Sequence, residues 1–494
     1  MQVLSHIGLF ANGLTSTALE VMDCATVSSP ATETSSSSSS VNRRGLAIGL
    51  CAVILGIAFE AAAVATAMPA AAEELDGLTH YAWAFSLFMI GMLFSTVVGG
   101  ALSDRIGPAK PLIVGMLIFA GGLVIAGTAV SWPMLIAGRL VQGLGSGAMN
   151  TAAYVCIAQV FDARQRPRMF TYISMAWVLP GIAGPAVAAW ITHQLSWHFA
   201  FYAVLPLLAF GSVMMAPTLR RLLNGTIARP AGEAADSPTS SRDSIPLWIP
   251  AGVAALSAAA IQYAGQRLDL IGVIPAVIGL AGLAFALPRL MPPGFLRLAR
   301  GLSAVVLTRM LLPGAFMGAE AFLPLMLVEL HGLSLNLAGA TLSIGSIGWF
   351  GGAWLQSRSW LRLRREHLVT VGAVSVASGV ALVAVTVLLP NVWIGVVAVA
   401  WIIAAFGMGV GTASTSVATM ALSADAEQGR NASSLNLGDA LGAGIFVGIS
   451  GSVFGALLAS GNLAFTFGVA FATMAVVGVL AVLASLRIGR LPTG

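Results

Sequence analysis

Charged residues are scarce in this sequence: only 9% of its 494 residues are Asp, Glu, Lys or Arg, whereas 57% are hydrophobic. Cysteine is rarer still, and its three copies are scattered, so the chain has neither a disulfide framework nor a Cys-x-x-Cys metal site. The sequence also contains no His-Glu-x-x-His, Gly-x-Ser-x-Gly or nucleotide-binding loop. These shortages exclude a soluble globular domain and argue against a catalytic site, a metal site and a nucleic-acid binder.

Long apolar runs are present instead. About fourteen of them approach the roughly 20 residues that an α-helix needs to cross a bilayer. The runs are continuous rather than alternating, which indicates helices. We predict spans at 45–68, 82–102, 111–130, 134–158, 169–190, 199–217, 246–264, 269–287, 310–330, 338–356, 368–389, 392–413, 433–458 and 463–486. The fold class is therefore an all-α polytopic membrane protein embedded in a lipid bilayer.

The basic residues alternate from loop to loop. Arg43 and Arg44 precede the first span, every second loop after it is basic, and the loops between hold almost no basic residues except Arg267. Loops rich in Lys and Arg stay on the cytoplasmic side of a membrane. We therefore expect both termini to be cytoplasmic.

Polar segments divide the chain into parts. The longest polar linker, residues 218–245, separates an N-terminal six-helix bundle (45–217) from two additional spans (246–288) and a C-terminal six-helix bundle (289–489). The second span ends in GGALSDR and the tenth in GGAWLQSR, which indicates a duplicated unit. The Ser-rich segment 1–44 is expected to be a disordered cytoplasmic tail.

Three segments carry a resemblance to a known family. GGALSDRIGPAK (99–110) resembles the signature loop between helices two and three of the major facilitator superfamily. GRLVQGLGSG (138–147) is similar to its Arg-x-x-Gln-Gly-x-Gly pattern, and PGIAGPAVA (180–188) to the Gly-x-x-x-Gly-Pro pattern of its antiporters. FEAAAVATAMPAAAEEL in the first span resembles the acid-to-Pro segment of drug–proton antiporters. The resemblance covers about residues 45–488 and implies the fourteen-helix drug–proton antiporter branch, with two bundles and two central helices.

The GGALSDRIGPAK loop predicts a conformational latch, which we call the charged latch. Gly107 permits a tight turn, and Asp104 and Arg105 lie where a helix leaves the membrane. A charge pair there can hold two helices together in one conformation. It releases them in another, because hydration weakens the attraction between the charges. The resemblance adds Asp162 and Arg166, beyond the fourth span, to this latch. The alternative is that these are solvated loop charges.

Two acids inside the apolar runs are candidates for proton coupling. A charge at bilayer depth costs at least about 2.5–3.5 kcal/mol, so it is a functional-site hypothesis by default. Glu60 and Glu320 lie in the first span of each six-helix half, at corresponding positions. The alternative is a neutral Glu that is hydrogen-bonded to a neighbouring helix. The resemblance implies a coupling role for Arg139, for which snorkelling to the membrane interface is the alternative.

Other candidates concern shape and the substrate cavity. Glycines and a proline in spans four and five are predicted to permit close packing and bending of these helices: Gly143, Gly147, Gly181, Gly184 and Pro185. The weaker candidates for lining a substrate cavity, each of which has packing, pairing or lipid contact as its alternative, are Gln142, Asn150, Met175, Trp177, Trp349 and Asp439.

These features favour a proton-coupled antiporter that exports lipophilic or cationic small molecules by alternating access, as in multidrug efflux and antibiotic resistance. We expect it to act as a monomer in a bacterial cytoplasmic membrane and to use a proton gradient, with no cofactor. The alternative is a transporter of the same fold for a lipid or a metabolite. A membrane enzyme or a channel is disfavoured.

Overall fold

Fourteen long α-helices make up most of what the computed structural model describes, which is residues 42–162, 165–224, 246–266, 270–358, 363–388, 393–423 and 428–491. In chain order they are α1 (Arg43–Glu74), α2 (Trp83–Ile106), α3 (Ala109–Gly127), α4 (Trp132–Val160), α5 (Arg166–Gln194), α6 (Leu205–Leu223), α7 (Trp248–Gln266), α8 (Leu270–Leu290), α9 (Leu302–Glu320), α10 (Leu335–Gln356), α11 (Arg365–Leu388), α12 (Gly395–Leu422), α13 (Gln428–Leu458) and α14 (Leu463–Ser485). Short helices at His198–Tyr202 and Leu323–Glu329 precede α6 and follow α9.

Within these described ranges, eleven helical segments are long and apolar enough to cross a membrane, which leaves out α4, α7 and α10. Those three contain more polar and small residues, among them Arg139 in α4 and Gln262 in α7. The prediction of an all-α polytopic membrane protein is therefore confirmed.

Several helices are longer than their apolar runs. Helix α6 continues to Leu223 instead of stopping at 217, and α9 begins at Leu302 instead of 310. Helix α6 extends because Arg220 and Arg221 can reach water while their stems stay on apolar surface. Helix α9 begins earlier because the apolar segment SAVVL (303–307) precedes Arg309. The correction to α9 brings Arg309 inside a helix. Nearly all of the predicted tail, most of the predicted linker and Arg267 lie outside the described residues.

Helix packing groups the chain into two halves. In the N-half (α1–α6), α4 packs against α2 and α3, and α1 packs against α5 and α6. In the C-half (α9–α14), α12 packs against α10 and α11, and α9 packs against α13 and α14. The halves meet along two seams, α2 against α13 and α5 against α10.

The two ends of the bundle differ in charge. Arg43 begins α1, Arg105 lies in the last turn of α2, and Arg220 and Arg221 lie in the last turn of α6. We call this the basic end. Glu73 and Glu74, at the other end of α1, mark what we call the opposite end.

Helices α7 and α8 form a hairpin beside the α2–α13 seam. Helix α7 packs against α8, α13 and α2. A short connection with a 3-10 turn at Phe295–Arg297 leads from α8 into α9, so the hairpin is joined closely to the C-half.

Candidate functional site

A buried ion pair joins α1 and α4 in the N-half. Arg139 Nη1 donates to Glu60 Oε1, and their side chains are only 3% and 0% exposed. Arg139 Nε also donates to the carbonyl oxygen of Ala84 in α2, at 2.8 Å. The guanidinium lies over the Phe88 ring, 4.4 Å from its centroid. Arg139 therefore ties three helices together and does not snorkel to the membrane interface.

Gln142 belongs to the same buried network. It lies one turn after Arg139 in α4, is fully buried, and its Oε1 accepts from Arg139 Nη1. Within the described residues, Glu60 Oε2 and Gln142 Nε2 have no hydrogen-bond partner although both are buried. A buried polar atom without a partner carries a desolvation cost, so this network can accept a further hydrogen bond or a proton.

A second ion pair joins α9 and α13 in the C-half. Arg309 Nε donates to Asp439 Oδ1 at 2.6 Å, and Nη2 donates to Oδ2 at 2.7 Å. Arg309 Nη1 donates to the Thr412 carbonyl oxygen and, at 3.1 Å, to Thr415 Oγ1, both in α12. This two-point pairing gives Asp439 a fixed partner.

Arg309 was missed by the sequence analysis. The hydropathy pattern starts the ninth span at residue 310, directly after the arginine. The signal that could have found it is the apolar segment SAVVL (303–307) on its N-terminal side, which extends the helix beyond the charge.

The two pairs differ in depth and exposure. Arg309 lies seven residues into α9 from the basic end, or about 10 Å at 1.5 Å per residue. Glu60 lies 17 residues into α1 from the same end, or about 25 Å. The Arg309 and Asp439 side chains are 13% and 30% exposed, so the pair near the basic end is partly accessible and the deeper pair is sealed.

Glu320 has surroundings unlike those of Glu60. It is the last residue of α9, just before the helix is interrupted ahead of Leu323–Glu329. Its side chain is partly buried, and it makes no hydrogen bond or ion pair within the described part of the chain. The two acids thus lie in corresponding spans, but only Glu60 has a fixed basic partner.

The halves are in close contact toward the opposite end. In the α2–α13 seam, a Cβ on Gly451 would lie 1.9 Å from the Ala82 Cβ. Tyr81 of the N-half and Phe322 of the C-half have ring centroids 5.4 Å apart, and Phe322 is 4.8 Å from Phe454. Apolar rings and small residues therefore close this end of the interface.

The α5–α10 seam is closed over the same part of its length. Ser346 Oγ donates to the Gly181 carbonyl oxygen at 2.6 Å, and a Cβ on Gly339 would lie 2.8 Å from the carbonyl oxygen of Pro185. Gly184 faces α1 instead, where its added Cβ would lie 3.1 Å from the Ala62 Cβ. Gly181 and Pro185 thus lie at the contact between the halves.

The remaining cavity candidates differ in exposure. Met175 and Trp177 of α5 are 63% and 41% exposed. Trp349 is partly buried and packs edge-on against Phe316, with ring centroids 5.7 Å apart. Asn150 is partly buried, and its Oδ1 has no partner among the described residues.

The charged latch is not assembled in this conformation. Asp104 and Arg105 are exposed and make no ion pair with any described residue. Asp162 pairs with Arg43 at 3.0 Å, and Arg166 donates to the carbonyl oxygens of Phe161 and Ala158. Gly107 has a φ of 83° at the turn between α2 and α3, a conformation that glycine adopts without strain. The acids at the ends of α2 and α4 therefore have separate surroundings.

A multi-pass helical bundle in two halves, closed toward one end and holding buried ion pairs, defines a membrane transporter by class. The sequence profile of the Major Facilitator Superfamily matches residues 46–447, so the chain belongs to that family. Proteins of this family are transporters and not enzymes.

Curated relatives align with part of the chain. Multidrug resistance protein 3 of Bacillus subtilis is 31% identical over 160 residues, which are 32% of this chain and 31% of that protein. The Acurin A biosynthesis cluster MFS-type transporter of Aspergillus aculeatus is 32% identical over 187 residues, 37% of this chain and 34% of that protein. The aligned segments span about a third of the length of these relatives.

Solved structures of transporters share the fold. A POT family transporter crystallised in complex with 5-aminolevulinic acid has a TM-score of 0.65 at 15% identity, over 90% of this chain and 97% of that one. A bacterial homolog of the human lysosomal transporter Spinster has a TM-score of 0.61 at 13% identity, over 92% of this chain and 98% of that one. At such identities the similarity shows the fold alone.

Proposed function

We propose that this transporter is a proton-coupled antiporter that exports lipophilic or cationic small molecules. The observation that carries the proposal is the contrast between the sealed Glu60–Arg139 pair and the partly exposed Arg309–Asp439 pair. Two ionic sites at different depths, one closed while the other is accessible, suit alternating access by rocking halves. The proton gradient supplies the energy, and one chain in the bilayer is the working unit.

The positive-inside rule orients the protein in this proposal. The basic end lies in the cytoplasm, and the conformation described here, closed toward the opposite end, is inward-facing. Rocking opens the opposite end and brings Glu60 and Glu320 within reach of protons from outside.

Glu60 and Glu320 bind the transported protons in this mechanism. A carboxyl without a charged partner is more stable in its neutral form inside a membrane, so Glu320 can carry a proton. When Glu60 takes a proton, Arg139 loses its ionic partner and the contacts among α1, α2 and α4 weaken. A proton therefore favours one conformation over the other, which coupling requires.

Asp439 provides the recognition of a positive charge. Its carboxylate is partly exposed and is held by Arg309. A cationic substrate arriving from the cytoplasm competes with Arg309 for this carboxylate, while the surrounding apolar helices accept its lipophilic part.

A second candidate is the export of a secondary metabolite. The relative from Aspergillus aculeatus is named for a biosynthesis cluster, and another relative is named MFS efflux transporter aclA. The same site would then accept an uncharged organic product, and Asp439 would be a structural partner of Arg309.

Transport by purified protein in liposomes tests the proposal. A pH-sensitive dye is enclosed, and tetraphenylphosphonium or a neutral lipophilic compound is added. We expect the cation to drive proton movement that Glu60→Gln and Glu320→Gln abolish. The matched control is Glu73→Gln, which changes an exposed acid in the same helix as Glu60. Transport of the neutral compound without proton movement would support the second candidate instead.

A further inference from the structure

The α7–α8 hairpin contacts both halves through two glutamines one turn apart in α7. Gln266 faces the N-half: its Oε1 accepts from Trp83 Nε1 at 2.7 Å, and His80 Nδ1 lies 3.1 Å from the same oxygen. Gln262 faces the C-half, where a Cβ on Gly448 would lie 3.1 Å from its Oε1. The hairpin therefore bridges the α2–α13 seam.

Three hydrogen bonds among the described residues hold the hairpin and its connection to the C-half. Ser452 Oγ of α13 donates to the Gln262 carbonyl oxygen at 3.1 Å. Ser434 Oγ donates to the carbonyl oxygen of Leu290, the last residue of α8, at 3.4 Å. Ser303 Oγ in α9 donates to the Pro293 carbonyl oxygen at 3.0 Å, which secures the connection from α8. A hairpin held in this way moves with the C-half.

The hydrogen bond of Gln266 to the N-half lies at the opposite end. Gln266 is the last residue of α7, and Trp83 is the first residue of α2. The Gln266–Trp83 bond lies near Ala82 and Tyr81, where the two halves are in close contact. Opening of that end separates α2 from α13, and the bond must break.

We propose that the α7–α8 hairpin is a brace that moves together with the C-half. Gln266 is the positioning residue through which this brace holds α2 while the opposite end is closed. The inference rests on the proposed rocking of the halves. The hairpin thereby controls the equilibrium between the open and closed states of the opposite end. Gln262 is the internal comparison, because it lies on the same helix but does not bridge the halves.

Spin-label distances across the opposite end test the brace. Cys24, Cys51 and Cys156 are replaced by Ala, and labels are placed by Glu73→Cys in the N-half and Glu329→Cys in the C-half, both exposed positions. Gln266→Leu keeps the volume and removes the acceptor, and we expect the ratio of open to closed protein to rise about fivefold. Gln266→Glu keeps an acceptor oxygen and should retain the distances of the parent chain. Gln262→Leu should do the same.

Three results would overturn the brace. They are unchanged distances in Gln266→Leu, an equal shift in Gln262→Leu, or a shift in Gln266→Glu as large as that in Gln266→Leu. Distances that never lengthen in any variant, with or without substrate or a pH change, would instead refute the rocking motion itself. The measurement does not depend on proton coupling, so the two failures are distinguishable.

Cross-linking gives a second test, which does not need Gln266 to be changed. Gly265→Cys with Ser452→Cys joins α7 to α13, where the added Cβ lies 2.6 Å from the Ser452 Cβ. Gly252→Cys with Phe94→Cys, joined by a short bifunctional thiol reagent, links α7 to α2, since Gly252 lies against the Phe94 ring. We expect transport to survive the first link and to stop with the second. The reverse pattern would mean that the hairpin moves with the N-half.

Discussion

Arg139 and Glu60, 79 residues apart in the sequence, form an ion pair that is almost completely buried between α4 and α1. Removing two charges from water is costly, and a buried pair recovers that cost only with good geometry and further hydrogen bonds. Arg139 has these, from Ala84 and Gln142, whereas Glu60 Oε2 has no partner among the described residues. The pair is thus stable as a unit and sensitive to the loss of either charge.

Arg139→Met should destabilise the protein strongly, because it leaves the Glu60 carboxylate buried without a partner. We expect a loss of about 3–5 kcal/mol in the free energy of unfolding, measured by denaturant titration in detergent. The double variant Arg139→Met with Glu60→Leu should recover most of this loss. A double variant as unstable as the single one would show that the charges do not depend on each other.

Gly143→Ala should disturb the packing of α4 on α2. The added Cβ would lie 2.1 Å from the Phe88 carbonyl oxygen, so the backbones must separate, at a cost of about 1–3 kcal/mol. The control is Gly121→Ala in α3, whose added Cβ meets no atom within 4 Å and should leave stability unchanged or raise it by about 0.5–1 kcal/mol. Equal thermal stability of the two variants would contradict the close approach of α2 and α4.

Arg309→Lys should weaken the C-half although it keeps the charge. A lysine cannot reproduce the two parallel bonds to Asp439 together with those to α12. We expect a loss of about 1–3 kcal/mol in unfolding free energy. Arg220→Lys, which changes an exposed arginine at the end of α6, should stay within about 0.5 kcal/mol of the parent. A similar change in both variants would argue that the geometry at Arg309 is unimportant.

Asp104→Asn tests the charged latch, which remains a prediction. Asp104 has no ionic partner among the described residues in this conformation, so the variant should fold and bind substrate as the parent chain does. If the acid pairs in another state of the cycle, turnover in liposomes should fall several-fold while the Kd is unchanged. Loss of binding in parallel with turnover would place Asp104 in the substrate site and refute the latch.

Most helices were predictable because they have apolar runs of suitable length, although α4, α7 and α10 are more polar. The signature segments were sufficient for the family. The side-chain partners could not be predicted from the sequence. Hydropathy placed Arg309 just outside a span. Nothing in the local sequence indicates that Arg139 meets Glu60, or that Glu320 has no such partner among the described residues. These contacts depend on how helices distant in the sequence pack, as does the bridging of the seam by Gln266. The residue types were thus sufficient to identify Glu60 and Glu320 as candidate acids. Their different surroundings depend on helix packing, which the sequence does not reveal.

The central claim is that substrate and protons compete for the same transporter. The most direct test is to add tetraphenylphosphonium to purified protein in weakly buffered detergent solution and to record proton release on binding. We predict that binding releases protons from the parent chain and from Glu73→Gln, and that Glu60→Gln with Glu320→Gln binds the cation without releasing them. Binding to the parent chain with no proton release would contradict proton-coupled antiport.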